Sequence, residues 1–107
     1  MIEHVVMWKF ADFAEGRTRA ENCAYIKERL LALPAIIPEI KQMQIGCDLS
    51  GTDMSFDMML RTRFASLEAL HTYKVHPAHV AVSEYVKKVR TARAVVDAEV
   101  DENGNLV

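Results

Sequence analysis

Two histidines stand three residues apart in the segment YKVHPAHVAV, which covers residues 73 to 82. His76 and His79 flank Pro77, and Tyr73 begins the segment. An imidazole can accept and release a proton near neutral pH, and a phenol can hold a substrate oxygen. The segment is therefore a candidate for acid and base chemistry on a small molecule, with His79 as the base and Tyr73 as the group that fixes the substrate.

The same segment has two other interpretations. A helix break explains Pro77 without any role for the histidines, because the residue before a proline leaves the helical region and proline suits the first position of a new helix. A metal site would use His76 and His79, with His4 as a possible third ligand. No pattern of Asp, Glu or Cys completes a closed zinc shell, so we expect neither a metal nor another cofactor.

The helical interpretation also gives His79 a distinct chemical state. If Pro77 is the first helical residue, His79 lies in the first turn, where the positive end of the helix dipole favours a neutral imidazole. A neutral imidazole is a usable base. His79 also shares a helix side with Val82 and Val86, so it borders an apolar region.

The N-terminal segment MIEHVVMWKF alternates in the manner of a strand. Parity places His4 and Trp8 on one face and Val5 and Met7 on the other. His4 and Trp8 could face the same space as His79, so with His76 they are the candidate substrate-binding residues. Both faces are apolar at the centre, so we expect helices to cover one and a second subunit to cover the other, giving a homodimer through sheet faces.

Five further elements follow along the chain. The capping box TRAE and an apolar stripe from Cys23 to Leu33 predict a helix over roughly residues 18 to 33. Two strands flank the break DLSGTD, and a helix capped by Ser66 leads to the helix at Pro77. The order strand, helix, strand, strand, helix pair, strand predicts a split βαβ arrangement, an α+β fold with a four-stranded antiparallel sheet and helices on one face.

The last strand, TARAVVDAEV, carries alternating small residues. These alanines either let helices pack close to the sheet or leave a hollow beneath them. The polar end of the chain, residues 101–107, is expected to be a flexible tail after a single domain over residues 1–100.

Composition excludes several classes of partner. The 107 residues carry a formal net charge of -2 with no cluster of Lys and Arg, so we expect no nucleic acid. No segment reaches the roughly 18 apolar residues of a membrane-spanning helix, and no signal peptide is recognised, so we expect a cytoplasmic protein with no membrane partner. Cys23 and Cys47 lack CxxC spacing and are expected to be reduced thiols.

Four segments together resemble the Dabb family of stress-responsive dimeric A/B barrel domains: EHVVMWKF, IPEIKQMQIGCDLS, SLEALHTYKVHPAHVAVSEYV and ARAVVDAE. The resemblance covers almost the whole chain. It implies a ferredoxin-like fold whose monomers pair sheet against sheet into a barrel.

Within that family the HPAH segment is similar to that of the olivetolic acid cyclases, which are cofactor-independent polyketide cyclases. The similarity implies that His79 is the general base, that Tyr73 assists it and that His4 lies nearby. It implies a lyase or cyclase acting on an apolar carbonyl or aromatic compound. Two alternatives remain open: a non-catalytic, stress-linked binding or scaffold protein, and a cofactor-independent monooxygenase with Trp8 stacked on the substrate ring.

Overall fold

Four long strands form one antiparallel sheet in the computed structural model, which describes all 107 residues. In chain order the elements are β1 (Ile2–Phe10), β2 (Phe13–Ala14), β3 (Arg17–Thr18), α1 (Arg19–Leu31), β4 (Gln42–Cys47), β5 (Met58–Phe64), α2 (Leu67–Val75), α3 (Pro77–Val89) and β6 (Arg90–Glu99). The long strands lie in the order β4-β5-β1-β6, and β2 and β3 form a separate small hairpin. The predicted ferredoxin-like α+β fold is confirmed.

The helices begin at the residues that the sequence indicates. Thr18 caps α1 through a complete capping box, because its hydroxyl accepts from the Glu21 backbone while the Glu21 carboxylate accepts from the Thr18 backbone. Ser66 caps α2 by accepting from the Ala69 backbone at 3.1 Å. Helix α1 ends at Leu31, and a 3₁₀ turn over Leu33–Ala35 then carries the proline that stops it.

The strand register sorts the side chains of the sheet onto two faces. His4 lies opposite Thr62 of β5 and Asp97 of β6, and Trp8 lies opposite Arg93. Directly opposed residues share a face, so all of these lie on the side that the helices cover. This side holds the main core, whose members include Val6, Phe10, Ile26, Leu30, Leu60, Phe64, Val82 and Val86.

The opposite face of the sheet has no covering element, and we call it the outer face. Val5 and Met7 lie there, as their parity predicts, and they pair with Val96 and Ala94 of β6. The alanines of the last strand therefore lie away from the helices. They neither bring a helix close to the sheet nor leave a hollow beneath one, because the residues of β6 that face the helices are Arg93, Val95 and Asp97.

A buried ion-pair cluster lies on the outer face next to these apolar residues. Glu3 is only 7% exposed, and its two carboxylate oxygens accept from Arg61 at 3.3 Å and from Arg63 at 3.2 Å. All three side chains come from the paired strands β1 and β5. The outer face thus combines an apolar centre with a cluster of one carboxylate and two guanidinium groups.

The break between β4 and β5 is longer than the sequence suggests. The break DLSGTD ends at Asp53, but β5 begins only at Met58, and Met54 is 87% exposed. Asp57 explains where the loop ends, because its carboxylate accepts from the Phe10 backbone at 2.7 Å. This bond fixes the loop against the end of β1.

The C-terminal residues fold back on the chain. The Asp101 carboxylate accepts from the Asn103 and Asn105 backbones, each at 2.9 Å, and Val100 pairs with Leu106. The polar residues DENGN therefore make a hydrogen-bonded turn, and the flexibility of this tail stays a prediction. The division of the chain at residue 100 stays a prediction.

Candidate functional site

The junction between α2 and α3 is built by His76 and Pro77. The His76 Nδ1 accepts from the Ala78 backbone at 3.0 Å, and the His76 backbone N–H donates to the Tyr73 carbonyl at 3.2 Å. His76 therefore closes α2 and caps α3 at once. The His76 ring is used in this hydrogen bond, and it does not line the cavity described below.

His79 lies in the first turn of α3, as predicted. Its Nδ1 is 3.0 Å from the Lys74 carbonyl oxygen at the end of α2. A carbonyl oxygen can only accept, so Nδ1 carries the hydrogen and, in the neutral ring, Nε2 keeps its lone pair. Burial lowers the pKa of His79, although the bond to the Lys74 carbonyl opposes this change. The ring is therefore in the form that can take a proton at Nε2.

Tyr73 is fully buried beside His79. The two ring centroids are 4.3 Å apart, and the Phe64 ring packs on Tyr73 at 5.0 Å. The Tyr73 hydroxyl has no hydrogen-bond partner in the protein. Burial raises the pKa of this phenol strongly, so it stays protonated and can donate. An unpartnered buried donor beside a base is the arrangement that a ligand oxygen would satisfy.

His4 approaches Tyr73 from the sheet. Its ring centroid is 6.3 Å from that of Tyr73, and its Nδ1 is 2.5 Å from an Asp97 carboxylate oxygen. Lys74 lies 4.0 Å from the other Asp97 oxygen. Burial lowers the pKa of His4, and the contacts with Asp97 oppose this effect. Asp97 therefore orients the ring, while Nε2 is not used in this bond.

These side chains line one cavity of about 270 Å³ between the sheet and α3. His4, Trp8, Tyr73 and His79 all belong to its lining, so the structure brings together four of the five site residues predicted from the sequence. Most of the other walls are apolar and consist of Val6, Leu30, Leu60, Val82 and Val86. The remaining lining residues are Ser83, Lys87, Arg90 and Arg93.

Sequence reasoning missed Asp97 and the basic residues of this lining. Asp97 belongs to the site because β6 pairs with β1 in the register that sets it opposite His4. Asp97 stands among the apolar residues of the run AVVDA, which was a possible signal. However, the pairing register follows from the assembled sheet and cannot be read from the strand alone.

The histidines do not form a metal shell in this structure. No group of three or more His, Cys, Asp or Glu side chains comes together as a possible metal site. The absence of a metal requirement stays a prediction. Separately, none of the helices has the length and apolar character that crossing a membrane requires.

The fold and the site define a small ferredoxin-like α+β protein with a cavity between its sheet and its helices. The sequence model of the Dabb family, the Stress responsive A/B Barrel Domain, matches residues 2–100. The chain therefore belongs to this family, as its sequence motifs indicate. No curated protein is similar enough to match it.

Solved structures with the same fold come from several organisms. A dimeric protein of unknown function from Bacteroides fragilis is 25% identical, with a TM-score of 0.77 over 92% of this chain and 95% of that chain. A dimeric ferredoxin-like protein from Thermobifida fusca is 22% identical, with a TM-score of 0.79 over 92% and 90%. A hydroxynitrile lyase from Passiflora edulis is 16% identical, with a TM-score of 0.78 over 94% of each chain. These likenesses support the fold.

Proposed function

We propose that this protein binds a small, largely apolar carbonyl compound in the cavity beside α3 and removes a proton from it without a cofactor. His79 is the general base of this proposal. One observation supports it most directly. The Nδ1 hydrogen of His79 is donated to the Lys74 carbonyl, so the lone pair at Nε2 remains available to a ligand. The same cavity is lined by Tyr73, whose hydroxyl has no hydrogen-bond partner.

The proposed step conserves atoms and electrons. A C–H bond next to the carbonyl breaks, its proton goes to Nε2 of His79, and its electron pair moves into the carbonyl to make an enolate. The Tyr73 hydroxyl donates to the carbonyl oxygen, where negative charge develops. The enolate carbon can then attack a second carbonyl. In an aldol closure the new alkoxide takes the proton back from His79. In a Claisen closure the tetrahedral intermediate expels the alcohol or thiol of an ester or thioester group, which leaves with that proton. Without a second carbonyl, His79 returns the proton to the enolate carbon.

A sequence resemblance and a structural likeness support a lyase or cyclase assignment. The resemblance of the HPAH segment to that of the olivetolic acid cyclases implies His79 as the base, Tyr73 as its assisting tyrosine and His4 as the strand histidine. Lyase chemistry also occurs on this fold, since a hydroxynitrile lyase is among the structural neighbours. The cavity of about 270 Å³ lies near the lower end of ligand sites, roughly 300 Å³, and so favours a compact ligand.

Two other functions use parts of the same site. A binding or scaffold role is favoured by the bonds that both ring Nδ1 atoms make within the protein, since such bonds also suit structural histidines. A cofactor-independent monooxygenase is favoured by Trp8, which lines the cavity and could stack on an aromatic substrate. Neither alternative accounts for the unpartnered Tyr73 hydroxyl as directly as a carbonyl ligand does.

We also propose that the protein is a homodimer that pairs through the outer face. Its apolar centre is uncovered in the single chain, with Val96 63% exposed and Met59 39% exposed. The structural neighbours from Bacteroides fragilis and Thermobifida fusca are described as dimeric. A second copy would bury this surface on both partners.

Proton abstraction can be measured without knowledge of the natural substrate. Phenylacetone carries an aromatic ring and exchangeable protons next to its carbonyl, and their loss in heavy water is followed by proton NMR. The protein should accelerate this exchange over buffer, and His79→Gln should slow the protein-catalysed rate by about 100-fold or more, the usual contribution of a general base. Lys88→Gln, an exposed change on α3 outside the cavity, should keep the wild-type rate.

Two results would count against the proposed reaction. If wild-type protein exchanges the phenylacetone protons no faster than buffer does, the site lacks the expected base activity. A His79→Gln variant that retains the full rate would assign the activity to another group, with His4 as the next residue to test.

A further inference from the structure

The cavity has a basic nitrogen at one end and a set of cations at the other. On β6, Asp97 lies opposite His4 and Arg93 lies opposite Trp8. Arg93 and Asp97 are four positions apart on β6, so the two ends are separated by about 13 Å along the strand. Helix α3 lies along the same line between the two ends. Its cavity-lining residues run from His79 in the first turn to Lys87 in the last turn, which are about 12 Å apart along the helix axis. We call the part lined by Lys87, Arg90 and Arg93 the cationic end.

The arginines of the cationic end have no anionic partner within the protein. Neither Arg90 nor Arg93 takes part in an ion pair. The cavity lining contains no carboxylate at all. The nearest acidic residue on β6 that faces the helices is Asp97, and it already binds His4 and lies near Lys74 at the other end. The positive charges of Arg90 and Arg93 are therefore free for a ligand.

Ordinary helix chemistry explains only part of this charge. Lys87 lies in the last turn of α3, where a cation favours the helix dipole, and it pairs with Glu84 at 3.4 Å. Arg93 does not belong to a helix. It comes from β6, and the strand register directs it to the cavity side of the sheet, opposite Trp8. Arg93 is unpaired and lines the cavity, and a ligand explains this better than helix stability does.

We propose that the ligand carries a carboxylate, which Arg90 and Arg93 bind at the cationic end while the apolar body lies against Trp8, Val82 and Val86. A guanidinium group matches a carboxylate through two parallel hydrogen bonds. The proposal deepens the proposed function, since it rests on the same cavity and makes the substrate a keto acid or a related carboxylate. The acid group is held away from His79, so the carbonyl can reach the base and Tyr73.

A carboxylate and its neutral amide have nearly the same size, so comparing their binding shows the effect of the charge alone. Benzoate, phenylacetate and 3-phenylpropionate are each compared by isothermal titration calorimetry with the corresponding neutral amide, and phenyl phosphate is added as a second anion. None of them needs to react, so binding is read separately from proton abstraction, and His79→Gln protein should still bind the carboxylates. At least one carboxylate should bind about ten-fold more tightly than its amide, the effect expected for hydrogen bonds to a charged group.

Variants then test which residues cause the preference for the carboxylate over its amide. The double change Arg90→Gln with Arg93→Gln should reduce the preference to about two-fold or less, whereas Lys88→Gln removes the same kind of charge outside the cavity and should preserve it. Circular dichroism checks that each variant is folded. Equal binding of acid and amide, binding of neither at millimolar concentration, or a preference that survives the double change would each overturn the proposal. Tighter binding of phenyl phosphate than of every carboxylate, lost in the double variant, would replace the carboxylate with a phosphate ester.

Discussion

At the scale of the residue, the hydroxyl of Tyr73 has the most distinctive environment in the site. It is buried without a partner, and such a group costs about 1 to 3 kcal/mol of stability. Tyr73→Phe keeps the ring contacts with Phe64 and His79 and removes this cost. We therefore expect the free energy of unfolding to rise by about 1 kcal/mol in urea titrations, while phenylacetone exchange slows less than in His79→Gln.

Tyr85 provides the matched control for this change. Its hydroxyl donates to Asn22 at 2.5 Å and accepts from Arg17 at 2.9 Å, so Tyr85→Phe removes the donor to the buried Asn22 side chain. This variant should lower the free energy of unfolding. If Tyr73→Phe destabilises the protein as much as Tyr85→Phe, then the Tyr73 hydroxyl has a partner that the structure does not account for.

The two cavity histidines predict how stability depends on pH. Burial lowers the pKa of both His4 and His79 from the usual value of 6.5. Below pH 6.5 the unfolded chain therefore binds protons before the folded chain does, and the free energy of unfolding should fall as the pH is lowered from there. His79→Gln should weaken this dependence in urea titrations from pH 7.5 to about 5. The same change at His71, which is exposed on α2, should preserve it. A pH profile identical in wild type and His79→Gln would contradict the assignment of a half-buried, neutral His79.

At the scale of the element, His76 tests the interpretation of HPAH as a helix junction. His76→Ala removes the acceptor for the Ala78 backbone and should lower the free energy of unfolding by about 0.5 to 2 kcal/mol, the range for a lost helix cap. Ligand binding should change little, because the ring lies outside the cavity lining. His71→Ala on the surface of α2 is the control. A His76→Ala variant of full stability that no longer binds ligand would place His76 in the site after all.

The elements of this fold were predictable to different degrees. Capping boxes, prolines and helical spacing are local signals, so the starts of α1, α2 and α3 follow from the sequence. The β2–β3 hairpin was missed because it depends on distant residues. Asn22 is fully buried and donates to the Ala14 carbonyl at 3.2 Å while accepting from Tyr85 of α3. A polar residue within the stripe of α1 gave no local indication of such a partner.

The site was predictable where one element determines it. The alternation of β1 places His4 and Trp8 on one face, and the proline places His79 in the first turn of α3. Asp97, Arg93 and the true orientation of the β6 alanines depend on which face of the last strand meets the helices. That choice is made by pairing with β1, and parity within β6 alone cannot decide it.

At the scale of the whole molecule, the proposed homodimer depends on the outer face. Met7 lies near its centre, so Met7→Lys would place an ammonium group in a buried interface and should convert the dimer to a monomer. Size-exclusion chromatography with light scattering measures the mass directly. Met54→Lys makes the same change at an 87% exposed loop position and should leave the dimer intact. A wild-type monomer at micromolar concentration, or a Met7→Lys dimer as stable as wild type, would contradict pairing through this face.

The central claim is that His79 presents an unprotonated Nε2 to a ligand in the cavity, and nitrogen NMR of protein labelled in its histidines tests this most directly. At pH 7 we expect the His79 signals of a neutral ring with hydrogen on Nδ1, a titration midpoint below 6.5, and a shift of the Nε2 signal when phenylacetone is added. The exposed His71 is the internal reference and should not respond to the ligand. A His79 ring that is protonated at pH 7, carries its hydrogen on Nε2, or ignores a ligand that binds would contradict the account.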